Sequence, residues 1–367
     1  MSRLAALSGR PLAEVSVTSG ALAATLAQGS QPVVLRGLVA HWPLVQVGLQ
    51  AKPEAGPAGT EAGAEAGTRV GPSVGWQSAQ AVSNYLRGFY REATVDTWLG
   101  DASIQGRFFY NDDFTGFNFQ PQRLRLDDVL NQLLHQQHQP RPSAIYVGST
   151  TVDTCLPGLR AANPIDLGPH DALISLWLGN RTRIAAHHDL PDNLACVAAG
   201  RRRFTLFPPE QVGNLYIGPL DLTPAGQAIS LVDFSQPDLE RFPRFEQAMQ
   251  HAQVAELGPG DAIFIPSLWW HHIEALDPFN VLINCWWRDT PAHMDSPMNA
   301  LMHTLLSVRD LPPAQRRAWA QLFEHYVFGA DEHTAAHIPP QARGVLAPLD
   351  DNSQRVLRAR LLKKLNR

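Results

Sequence analysis

Between Ser143 and about Arg288 the chain alternates short apolar runs with turns of Gly, Pro and Asp. The runs SAIYVGST, ALISLWLG, NLACVAAG, RRFTLFP, DAIFIP, HHIEAL and NVLINCWW are too brief for helices and rich in β-branched and aromatic residues, so each predicts a strand. Several short strands at this spacing predict an antiparallel sandwich or barrel. Upstream, Val33 to Leu35 reads as a first strand with HWP as its exit turn. AQAVSNYLRGFY, from Ser78 on, has a helical pattern, and so does RLRLDDVLNQLLHQQ (123–137), where Leu126, Leu130, Leu133 and Leu134 keep helix spacing. GRFFYNDDFTGFNF between them is aromatic and turn-rich; it reads as a loop packed on the barrel, or as the border of an entrance. After the strands come two helical patterns, NALMHTLLSV (299–308) and PAQRRAWAQLFEHYVFG (313–329). The pattern predicts a mainly β protein with helical additions: residues 1–139 decorate the core, 140–290 form it, and 291–367 are a helical tail.

Composition changes this picture in one place. Residues 51–72, almost entirely Ala, Gly, Glu, Pro and Thr, carry too little apolar bulk to offset the entropy of ordering and predict a flexible insertion. The formal charge of -4 on 367 residues argues against a general electrostatic grip on nucleic acid or anionic lipid. Three cysteines without CxxC spacing indicate neither a disulfide framework nor a thiolate zinc site. No apolar run approaches the ~18 residues of a membrane helix, and the first residues lack a signal-peptide core, so the expected location is the cytoplasm.

The chemistry concentrates in AAHHDLPDN (185–193) and IPSLWWHHIEAL (265–276). In a strand, His187 and Asp189 share one face while His188 points away. A metal ion bridging that pair needs a third ligand, and the second histidine doublet offers one, although alternation does not choose between His271 and His272. Two histidines and one carboxylate make the facial triad of non-haem Fe(II) oxygenases, which leaves coordination positions open; zinc or manganese also fits such ligands. In GRRRFTLFPPEQ, Arg202 shares a face with Phe204 and Leu206. If that face is interior, Arg202 is a buried cation in need of an anion, and a dicarboxylate ligand suits a guanidinium; otherwise the strand is basic and solvated. Asn284, among the apolar residues of NVLINCWW, and Tyr146, in SAIYVGST, serve either a ligand or the surrounding backbone.

Taken in order, AHHD, GRRRFTLFPPEQ, ERFPRFEQA, GPGDAIFIP, WWHHIEAL and INCWW resemble the cupin-like jumonji-C oxygenases, in particular the asparaginyl hydroxylase that inhibits the hypoxia-inducible factor and its bacterial relatives. The resemblance covers roughly residues 140–290. It implies a double-stranded β-helix holding Fe(II), with 2-oxoglutarate and O2 as cosubstrates. It implies His187, Asp189 and His271 as ligands, His271 rather than His272 because the family places the ligand first in its doublet. Arg202 falls where relatives have a lysine that binds the far carboxylate. Tyr146, Asn193, Asn284 and Trp286 match positions lining the cosubstrate pocket, and Thr182, at a different spacing from His187, stands for the family's threonine. The resemblance further implies hydroxylation of a C–H bond in a protein, peptide or small molecule, and a homodimer built on the C-terminal helices. Two other functions use the same ligands: a non-catalytic cupin that senses a carboxylate, and a metal-dependent hydrolase or isomerase.

Overall fold

The computed structural model describes residues 9–17, 22–27, 29–51, 76–291 and 293–366; of the insertion expected at 51–72, all but Ala51 lie outside this range. The chain divides into two compact units, one up to Arg288 and one from Asp289. The strands, all in the first unit, are β1 (Arg10–Pro11), β2 (Glu14–Val15), β3 (Val33–Leu35), β4 (Thr94–Gly100), β5 (Arg107–Phe108), β6 (Phe119–Arg125), β7 (Ala144–Thr151), β8 (Leu173–Gly179), β9 (Arg183–His187), β10 (Asp192–Ala199), β11 (Arg202–Phe207), β12 (Gln253–Leu257), β13 (Ala262–Ile265), β14 (Trp270–Ala275) and β15 (Asn280–Trp287). They form a nine-stranded sheet, β2-β3-β13-β10-β15-β8-β7-β4-β6, and a six-stranded sheet, β1-β12-β11-β14-β9-β5. Neighbours pair antiparallel except at β1–β12, β2–β3 and β5–β9. Two sheets with helices added match the jelly-roll architecture expected of the core.

The apolar runs of the large sheet are nearly continuous because both its faces are covered. On one face Ile145, Val147, Leu176, Leu178, Ile283 and Cys285 join Leu44 and Val45 of the helix Pro43–Gln50, Val82 and Leu86 of Trp76–Phe89, and Leu126, Leu130 and Leu133 of Leu126–Gln136 in one buried cluster. On the other, Ala195, Val197, Ile263, Ile265 and Leu282 meet Phe204, Leu206, Ala255 and Leu257 of the small sheet. The helix read at 123–137 starts at Leu126, the first of its spaced leucines, since Arg123 to Arg125 finish β6. Gly200 turns the chain from β10 into β11 with φ +72, a conformation open to glycine at little cost.

In the second unit the helices Pro297–Ser307 and Pro313–Phe323 occupy the expected segments, the latter continuing into a π-helical turn, Glu324–Phe328. A third, Asp351–Leu365, begins with a capping box in which the Asp350 carboxylate accepts from the Ser353 N–H. Among the described residues no helix is long and apolar enough to cross a membrane.

Candidate metal centre

His187 ends β9 and His271 lies in β14, directly opposite it in the register. Asp189 follows β9 in a bend, where its carbonyl accepts the Leu268 N–H at 2.9 Å. One ligand atom from each of His187, Asp189 and His271 lies within 4.8 Å of the others. Each histidine is oriented by a neighbouring carbonyl: His187 Nδ1 is 2.9 Å from Ala185 O, and His271 Nδ1 is 2.9 Å from Trp269 O. A carbonyl can only accept, so each Nδ1 carries a proton and Nε2 is the atom each ring has left to offer a metal. His271 Nε2 then faces Asp189 Oδ2 at 3.6 Å, two acceptors with no proton between them. Burial first, and the adjacent His187 second, hold the His271 pKa down to about 4, which keeps that imidazole neutral. Imidazoles whose Nδ1 is tied back, beside a carboxylate, are the donor set a divalent cation requires.

The structure also separates the histidine doublets. His272 points to the opposite face, packs on Phe234 with ring centroids 4.3 Å apart, and has both ring nitrogens without hydrogen-bond partners. Burial lowers its pKa to about 3. His188 packs edge-on against Trp270 instead of joining the cluster.

His187 and Asp189 line a cavity of about 600 Å³ together with Trp98, Phe108, Tyr146, Trp177 and Trp286, and Pro224, Ala225, Gln227 and Ile229 also line it. Among the expected site residues, Tyr146 lines this cavity from β7, and burial raises its phenol pKa. Trp286 lines it from β15, with an indole N–H that has no acceptor. Asn193 and Asn284 are 6% and 1% exposed, and link to each other and to Asp189: Asn284 Nδ2 donates to Asn193 Oδ1 at 3.4 Å, and Asn193 Nδ2 to Asp189 Oδ2 at 3.5 Å.

Arg202 is 4% exposed, its Nε has no partner, and burial lowers its pKa to about 10, with Tyr146 the charge neighbour that opposes the shift. It remains a cation at neutral pH, and among the described residues no carboxylate pairs with it. Arg201 and Arg203 on either side take Asp277 and Glu256 instead. Register places Arg202 on the inner face: Leu206 pairs with His271, Phe204 with Ile273 and Arg202 with Ala275. Thr182 joins that row, because the Ala275 N–H donates to the Thr182 carbonyl. A bulge brings it there. Going from His271 to Ile273 on β14 corresponds to going from His187 to Ile184 on β9, so one extra residue shifts the alternation and re-aims the start of the strand. The two histidines thus sit at one level of the small sheet, with Thr182 and Arg202 at the level of Ala275, four residues further along β14.

Sequence reasoning missed Trp98, Trp177 and the segment 224–229. An indole inside an apolar strand has no spacing that separates cavity from core. Of GRFFYNDDFTGFNF, Phe108 lines the cavity while Tyr110, Phe114 and Phe117 pack in an aromatic cluster.

Comparison with known proteins matches residues 64–293 to the family described as "Cupin-like domain". The chain is 34% identical over 129 residues to "Lysine-specific demethylase JMJ31" of Arabidopsis thaliana, covering 34% of this chain and 23% of that protein. It is 34% identical over 149 residues to "HSPB1-associated protein 1" of Homo sapiens, covering 40% and 30%. It is 31% identical over 150 residues to "tRNA wybutosine-synthesizing protein 5" of Danio rerio, covering 37% and 43%. In each case the match spans less than half of the relative's length.

Proposed function

The chain belongs to the cupin-like domain family, and from that premise we propose that it is an Fe(II)- and 2-oxoglutarate-dependent oxygenase that hydroxylates a C–H bond. The observation that carries this reading is the convergence of two carbonyl-tethered imidazoles and one carboxylate, with His187 and Asp189 lining the cavity. His187, Asp189 and His271 would hold Fe(II); when bound, the metal with 2-oxoglutarate and O2 supplies an oxidant for C–H bonds, releasing succinate and CO2.

The chain's own residues do the positioning. Arg202, a buried guanidinium without a protein anion, is suited to grip the far carboxylate of 2-oxoglutarate with two parallel hydrogen bonds. Thr182 in the same row and the Tyr146 phenol would add donors there, and the unpartnered Trp286 indole N–H offers another in the cavity wall. The arginine in place of the family's lysine keeps the charge and presents a planar fork. The aromatic walls keep water from the reacting centre.

For the prime substrate we propose a protein or peptide side chain, with a small molecule as the second reading; a cavity of about 600 Å³ accommodates either. One relative's name refers to lysine demethylation and another's to tRNA. The formal charge of -4 favours the protein substrate over the nucleic acid. Three buried free cysteines suit a reducing compartment such as the cytoplasm. A homodimer through the C-terminal unit is supported by apolar residues left exposed there, including Leu306, Val327, Phe328 and Leu362.

The test incubates iron-loaded protein with 2-oxoglutarate and O2 and follows succinate, with His187→Ala as control. Iron-dependent succinate that vanishes in the variant supports the oxygenase. Tight 2-oxoglutarate binding without turnover on any peptide or metabolite tested points to a sensor, and activity with zinc or manganese that ignores 2-oxoglutarate points to a hydrolase or isomerase.

A further inference from the structure

A line of three side chains runs from the cavity wall to the metal-binding carboxylate. Trp177 of β8, packed between Tyr146 (ring centroids 6.0 Å) and Trp286 (5.6 Å, edge-on), donates its indole N–H to Asn284 Oδ1 at 2.7 Å. Asn284 Nδ2 donates to Asn193 Oδ1 at 3.4 Å, and Asn193 Nδ2 to Asp189 Oδ2 at 3.5 Å. The line crosses adjacent strands: Leu282 pairs with Trp177 and Asn284 with Ala195, so each partner sits diagonally across from the last.

The ends of this line differ in kind. An indole N–H is a donor only, and an ionised carboxylate is an acceptor only, while each amide between them presents an oxygen or a nitrogen depending on its flip. With Trp177 in place, Asn284 must turn its oxygen to the indole and its NH₂ toward Asn193. Asn193 must then turn its oxygen to Asn284 and its NH₂ toward Asp189. We propose that Trp177 is a positioning residue for the metal centre: its donor fixes the flip of both buried amides, so that Asn193 always offers a hydrogen to Asp189 and holds the carboxylate oriented toward the histidines. Loss of that donor frees both amides to reverse, and a reversed Asn193 sets its oxygen against the carboxylate. Trp177 also faces the cavity, so a ligand packing on its ring bears on the same line.

This inference rests on the metal-binding reading of the triad. The test is isothermal titration of Co(II) into the full chain without 2-oxoglutarate or O2, comparing wild type, Trp177→Phe, Asn193→Ala and the double variant, with thermal unfolding of each metal-free protein recorded alongside. Phe keeps a ring in the wall and removes only the donor. Hydrogen-bond partners of metal ligands typically contribute about 10–100-fold in affinity, so Trp177→Phe is expected to weaken Co(II) about tenfold. Asn193→Ala weakens it at least as much, and the double variant equals Asn193→Ala alone, because Trp177 acts through that amide. Unchanged Co(II) affinity in Trp177→Phe overturns the proposal, whether or not the melting temperature falls. Losses that add in the double variant overturn it as well. A wild-type protein that binds no Co(II) overturns the oxygenase reading itself, an outcome separate from wild type and Trp177→Phe binding equally well.

Discussion

Replacing Arg202 by methionine keeps most of the side-chain volume and removes a cation that is 4% exposed, with an unpartnered Nε and no anionic partner among the described residues. In a protein without a ligand, that cation carries a desolvation penalty nothing repays, as its lowered pKa of about 10 reflects. Exchanging buried charges for apolar groups of similar volume is neutral or stabilising by about 1–4 kcal/mol. The ligand-free variant should therefore melt no lower than wild type, with each kcal/mol raising the midpoint by roughly 2–4 °C in a unit of this size. Cosubstrate binding moves the other way. A bidentate guanidinium–carboxylate contact supplies two charge-assisted hydrogen bonds of about 1.5–3 kcal/mol each, so its loss weakens 2-oxoglutarate by about 3 kcal/mol or more, roughly two orders of magnitude. The assay pairs thermal unfolding of the ligand-free protein with calorimetric titration of 2-oxoglutarate in the presence of Mn(II). A variant clearly less stable than wild type that still binds 2-oxoglutarate normally would refute the reasoning, since Arg202 would then be a structural cation.

Exchanging the two histidines of the second doublet gives opposite results in a Co(II) titration: His271→Leu abolishes tight binding, whereas His272→Leu leaves it within about twofold and does not lower the melting temperature, because His272 has two unsatisfied nitrogens to lose. Gly200→Ala is expected to destabilise by more than about 2 kcal/mol in chemical denaturation, since φ is +72 and the new Cβ would run into Asn280 Oδ1 and the Phe279 carbonyl. Sedimentation of the full chain should give a dimer, and Leu306→Glu with Phe328→Glu should shift it to monomer without changing 2-oxoglutarate binding; a wild-type monomer at micromolar concentration contradicts the proposed homodimer.

How much of this was legible in the sequence depended on whether a feature is local. Seven of the nine strands from 143 to 288 announced themselves through short apolar runs, β9 showed only through its histidine, and β12, with the mixed sequence QVAEL, gave no such signal; the second doublet announced itself through its own letters. The pairing of His187 with Asp189 was inferred from strand alternation, yet β9 ends at His187 and the carboxylate is delivered by the following bend, held by the Leu268 N–H. Thr182 looked misplaced because linear spacing cannot reveal the bulge in β9 that restores it to the inner face. The two readings of Arg202 were separated only by long-range partners: Asp277, Glu256 and Glu274 occupy Arg201 and Arg203, and no carboxylate among the described residues pairs with the arginine between them. Trp177 was invisible since its role depends on an amide one strand away and more than a hundred residues along the chain.

Anaerobic addition of Fe(II) and then 2-oxoglutarate, followed by visible absorption, tests the central claim most directly. The account predicts a charge-transfer band that needs both components, is lost in Asp189→Ala, and saturates only at much higher 2-oxoglutarate in Arg202→Met. No band in the iron-loaded wild type, or one that survives in Asp189→Ala, would contradict it.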